Sequence, residues 1–74
     1  MEVFSMSVCY NKLLKLLIEK GWKRKDLQAR AQVSHNIMAR LSKGEYINME
    51  SMEKICTALD CNIGDVMEFV PYKE

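Results

Sequence analysis

His35, Asn36, Arg40 and Lys43 stand within nine residues of one another, in the stretch AQVSHNIMARLSKGE from Ala31 to Glu45. An asparagine amide offers a donor and an acceptor side by side, and an arginine guanidinium offers a fixed fork of donors. Each can make two parallel hydrogen bonds to one planar polar edge, whereas a lysine ammonium acts as a compact positive charge. This set suits recognition of a polar, electron-rich surface. Bond-breaking chemistry needs other partners, and the chain has a single histidine and no glycine-rich phosphate loop. Its acids Glu50, Glu53, Asp60, Asp65 and Glu68 are spread over two segments, so catalysis is not expected.

A side chain can read a surface only if something holds it outward. Ser34 is a good helix N-cap and Gly44 a good helix stop, so the spacing predicts a helix over 35–43. At about 100° per residue, Met38 and Leu41 share its inner edge, with Ile37 at the border. Asn36, Ala39, Arg40 and Lys43 fall on the other edge, His35 lies just after the cap, and the outer edge has no acid.

Net charge is only +1 over 74 residues, but its distribution is uneven. Lys12 to Lys43 contains nine basic and two acidic residues, while Gly44 to Glu74 contains two basic and seven acidic ones. A basic half centred on the predicted 35–43 helix orients a protein toward a polyanion without making the whole molecule adhesive.

Apolar spacing predicts five helices, near 10–20, 24–31, 35–43, 49–59 and 63–69, hence an all-α fold. Tyr10, Leu13, Leu14, Leu17 and Ile18 form the first stripe, ended by Gly21. Leu27 and Ala31 are the inward pair of the second, and Met52, Ile55, Cys56 and Leu59 line the fourth behind an Asn48 cap. Ile63, Val66, Met67 and Val70 line the fifth, with Asn62 as its cap and Pro71 as its stop. Residues 1–8 are expected to be an arm, extended where Phe4, Met6 and Val8 alternate with Ser5 and Ser7. Residues 9–71 make the domain and 72–74 a tail. Trp22 is expected to cap helices one and two, and Met38, Met49, Met52 and Met67 to pack.

Segments two and three read K-R-K-D-L-x-x-x-A-x-V-S-x-x-x-M-x-x-L-x-x-G from Lys23 to Gly44. This resembles the helix-turn-helix of the lambda-repressor and Cro-like (XRE) family. SMEKICTALDCNIGDVMEFVP, Ser51 to Pro71, is similar to the last two helices of a small single-domain branch of that family. The resemblance runs from about Tyr10 to Pro71. It implies a five-helix lambda-repressor-like domain and a sequence-specific regulator of double-stranded DNA, acting as a repressor with helix 35–43 in the major groove. It implies base contacts from His35, Asn36 and Arg40, with Ile37 able to meet a thymine methyl. Asparagine matches adenine and arginine matches guanine. Phosphate contacts would come from Lys23, Arg24, Lys25 and Lys43. The family's turn usually carries glycine where this chain has Gln32, and a non-glycine residue in left-handed geometry costs roughly 1 kcal/mol.

The competing reading is a protein-interaction module on the same scaffold, antitoxin-like or anti-repressor, without DNA binding. The acid-free outer edge of 35–43 favours the regulator. No cofactor, metal or small-molecule effector site is expected. Cys9, Cys56 and Cys61 lack any C-x-x-C pair and are expected to be inert, packed thiols in a reducing cytoplasm. MEVFSMS shows no secretory pattern, and no apolar run approaches the roughly 20 residues that span a bilayer. A core this small supplies only about 3–5 kcal/mol, so a second copy would help. Val3, Phe4 and Met6 at one end, and Phe69, Val70 and Tyr72 at the other, are the apolar candidates for a homodimer interface.

Overall fold

The computed structural model describes residues 4–73. In chain order these form β1 (Phe4–Cys9), α1 (Asn11–Lys20), α2 (Arg24–Ala31), α3 (His35–Lys43) and α4 (Met49–Leu59). A 3-10 turn (Ile63–Asp65) and β2 (Glu68–Lys73) follow. The core joins Leu13 and Leu17 of α1, Leu27 and Ala31 of α2, and Met38 and Leu41 of α3 to Met52, Ile55 and Leu59 of α4. Leu27 and Ile55 are fully buried, which places the α2–α4 contact at its centre.

Local chemistry defines the helix ends. The Ser34 hydroxyl accepts from the Ile37 N–H at 3.2 Å, and the Asn48 side chain accepts from the Ser51 N–H at 2.7 Å. Each satisfies one of the donors that a first helical turn leaves unpaired. Lys23 has no acceptor to offer α2, so the Asp26 carboxylate reaches back instead and accepts from the Lys23 N–H at 2.8 Å. All four helices stop on a left-handed residue: Gly21, Gln32, Gly44 and Asp60. Gln32, at φ 56°, adopts the geometry for which the family turn usually supplies glycine.

The all-α, five-helix expectation fails at the two ends of the chain. Residues 63–69 do not make a fifth helix. The chain turns once through Ile63–Asp65, where the Asp65 carboxylate accepts from the Asn62 N–H at 3.0 Å, and then extends. Pro71 lies too close for a helix begun at 63 to gain enough turns, and the residue before a proline disfavours helical geometry. The extended alternative has a partner in β1. The two strands pair antiparallel, with Met6 opposite Pro71, Val8 opposite Phe69 and Ser7 opposite Val70. Val3 lies outside the described residues, as does Glu74.

The α1 stripe is also narrower than its spacing suggests. Tyr10, Leu13 and Leu17 are buried, Leu16 packs beside them, and Leu14 and Ile18 are exposed. Among the described residues, no helix is long and apolar enough to cross a membrane.

Candidate nucleic-acid interface

α3 is nine residues long, about 13.5 Å at the helical rise of 1.5 Å per residue. Met38 and Leu41 fix its inner edge in the core, and Ile37 is partly buried against the same cluster. His35, Asn36, Arg40, Ser42 and Lys43 are exposed. Neither terminal turn of α3 weakens this basic surface: the first has no acid, and the last carries Arg40 and Lys43.

The exposed side chains divide between two flanks. His35, Ala39 and Ser42, spaced four and three residues apart, line a surface hollow of about 330 Å³ with Arg24, Lys25 and Gln28 of α2. The fold therefore brings two of the basic residues that begin α2 beside the start of α3. On the other flank, Arg40 Nη1 donates weakly to the Tyr46 carbonyl at 3.4 Å, leaning toward the α3–α4 loop. Lys43 lies farther along, in a hollow shared with Val8, Asn11 and Leu14. Lys23 is exposed at the cap of α2 and lines neither hollow.

Gln28 and Ser42 are additions to the residues that the sequence singles out. Gln28 is one helical turn after Arg24, a spacing that places both on one flank of α2. Ser42 donates its hydroxyl to the Met38 carbonyl at 3.1 Å, so its oxygen remains an acceptor toward the hollow.

The scaffold under α3 is tied from behind. The Tyr10 hydroxyl donates to the Glu45 carbonyl at 2.7 Å, which links the residue before α1 to the loop after α3. Burial raises the Tyr10 hydroxyl above its ordinary pKa, and nearby Tyr46 adds to this. Trp22 is half-buried against the core and carries the Arg30 guanidinium 4.4 Å from its ring centre. This contact occupies Arg30 on the scaffold side. Among the described residues, no three of His, Cys, Asp or Glu come together in an arrangement that could hold a metal ion.

Residues 12–72 match the family model of the Cro/C1-type HTH DNA-binding domain. The chain belongs to that family. It is also similar to the crystal structure of transcriptional regulator VanUg (Form II), with 39% identity and a TM-score of 0.86. That match covers 90% of this chain and 89% of the other. The comparison with curated proteins yields no match. VanUg extends the likeness over nearly the whole of both chains.

Proposed function

We propose that this Cro/C1-type domain is a sequence-specific transcriptional regulator that docks α3 in the major groove of double-stranded DNA. The observation carrying this reading is the acid-free, exposed edge of α3, with Arg24 and Lys25 beside its first turn. His35, Asn36, Ile37 and Arg40 are the proposed base contacts. Of these, Asn36 and Arg40 supply the two-fold hydrogen bonds that distinguish adenine and guanine. Arg40 must exchange its bond to the Tyr46 carbonyl for a base, and at 3.4 Å that bond is easily given up. Lys23, Arg24, Lys25 and Lys43 are the proposed phosphate contacts, giving affinity and register without sequence choice. A domain that acts by occupying its site represses by occlusion, so we read the regulator as a repressor.

The regulator is proposed to act as a homodimer. One α3 spans too few base pairs to specify a site, and two-fold pairing with half-sites about 34 Å apart supplies the rest. The two terminal segments that the sequence offers as separate interfaces form one ribbon. Its register places Met6, Val8, Phe69 and Pro71 on a common face, where Val8 is buried in the core and Met6 and Phe69 are each about half exposed (51% and 55%). A two-stranded ribbon is marginal by itself, and its outer strand edges suit pairing with a second copy.

Selection of bound sequences from random duplex DNA at fixed salt tests the first claim. It is expected to return a two-fold repeated site whose affinity falls steeply as salt rises. Salt-insensitive behaviour, together with a stoichiometric complex with another protein, would support the interaction-module reading instead. Sedimentation of the wild type and Phe69→Ser on and off that site tests the second claim. A wild type that stays monomeric on a single half-site would overturn it.

A further inference from the structure

α4 ends in a turn whose hydrogen bonds join its two cysteines. The Cys61 N–H donates to the Cys56 carbonyl at 3.0 Å, and the Asp60 N–H donates to the Thr57 carbonyl at 3.2 Å. Asp60 between them is left-handed at φ 54°. This is the Schellman arrangement, in which the residue just past the left-handed one folds back onto the residue three before the cap and makes side-chain contact with it. Here those two residues are Cys56 and Cys61. The motif sets the two side chains against the same turn, where both are free and half-buried. Cys61 also lines an open hollow with Lys12, Lys15, Leu16, Glu19 and Lys20 of α1, which provides a route for a small reagent.

We propose that Cys56 and Cys61 form a paired-thiol site that closes to an intramolecular disulfide with a low-molecular-weight disulfide. In the first step, the thiolate of one cysteine attacks a sulfur of the reagent RSSR. A protein–S–S–R mixed disulfide forms, and RS⁻ leaves and takes up a proton. The second cysteine thiolate then attacks the protein sulfur of that bond. The Cys56–Cys61 bond forms and the second RS⁻ departs to be protonated. Two protein thiols are oxidised and one small disulfide is reduced to two thiols, which carry the two protons.

The surroundings set how this site behaves. Burial, followed by the neighbouring Cys56 and Asp65, pushes the Cys61 thiol up to about 11, while Lys20 opposes the shift. Burial also raises Cys56, with Cys61 partly offsetting it. Thiolate is therefore scarce at neutral pH, and closure accelerates as pH rises. The same property protects the product, because sulfurs of high thiol pKa are poor leaving groups when an external thiolate attacks. The bond joins the end of α4 to the turn that launches residues 63–73, so it reinforces the root of the ribbon.

The test uses the full chain treated with oxidised glutathione at pH 8.5, followed by alkylation and tryptic mass spectrometry. No lysine or arginine lies between Ile55 and Tyr72, so both cysteines fall in the single peptide 55–73, apart from Cys9. The expected product is that peptide about 2 Da lighter than its dithiol form, in a protein that remains a monomer in covalent terms. In Cys61→Ser, the same peptide is expected to stop at one glutathione adduct. Peptide 55–73 recovered with two free thiols, with two adducts, or linked to a second chain would each overturn the proposal. So would equal closure rates in the folded chain and in urea, since the folded turn would then contribute nothing.

Discussion

Residues 24–43 and the ribbon of residues 4–9 and 68–73 are held in opposite ways. In the helix-turn-helix, Leu27, Ala31, Val33, Met38 and Leu41 are buried in one cluster, and the edges that face out are mainly polar. In the ribbon, Val8 is buried at the root, while Met6 and Phe69 are left substantially exposed. The first region draws its stability from the shared core. The second is held by one partner strand and presents apolar surface that the monomer does not use. The difference separates the part that fixes the geometry of α3 from the part suited to bringing two copies together.

Substitutions at the two regions should differ most sharply in stability. Leu27→Ala removes a fully buried side chain and is expected to cost about 2–5 kcal/mol, enough to unfold much of so small a domain. Phe69→Ser is expected to stay within about 0.5 kcal/mol in dilute, monomeric protein, because its site is more than half exposed. Urea denaturation of both variants decides this. Equal losses would place the ribbon inside the same cooperative unit and break the contrast.

The caps give the next effect. Ser34→Ala and Asn48→Ala should each cost about 1 kcal/mol, measured by thermal melting. Gln32→Gly works the other way. It removes a left-handed strain of roughly 1 kcal/mol, partly offset by the greater freedom of glycine in the unfolded chain. A small rise in melting temperature is expected, and a fall would show that the Gln32 side chain supports the turn.

The smallest effect is alkaline. The Cys61 thiol is raised to about 11 from an ordinary value of 9.0. The folded state thus keeps a proton that the unfolded state loses, and stability should decline from pH 9 toward pH 11. Tyr10 adds a further decline above pH 10, since its hydroxyl is raised from 10.0. Cys61→Ser should shrink the decline that begins near pH 9, leaving the smaller part due to the raised Cys56 thiol and the Tyr10 part. An unchanged profile would mean that the thiol is as solvated in the fold as in the open chain.

The contrast also explains what could be read from residues alone. α2, α3 and α4 begin and end where the spacing predicts because Ser34, Asn48 and Gly44 act within a few residues of themselves. Even the left-handed Gln32 is foreseeable, since the Lys23–Gly44 pattern needs that geometry. Residues 63–73 are different. Their apolar spacing fits a helix, and the extended form of residues 68–73 depends on a partner strand more than fifty residues away in sequence. No local signal carries that pairing. The interface shows the same division. The acid-free edge of α3 is legible from periodicity, whereas Gln28 and Ser42 join it only through the packing of α2 against α3.

The central claim is that α3 reads bases while the start of α2 holds phosphates. Salt-dependent binding of the selected duplex, and of a scrambled one, by the wild type, Arg40→Ala and Arg24→Ala tests it most directly. Arg40→Ala should lose about 1–3 kcal/mol on the selected site alone and relax preference at one base pair. Arg24→Ala should weaken both duplexes alike and reduce the slope of log affinity against log salt by about 0.9. A protein with no salt-sensitive affinity for either duplex, or two variants with the same sequence-independent loss, would contradict the account.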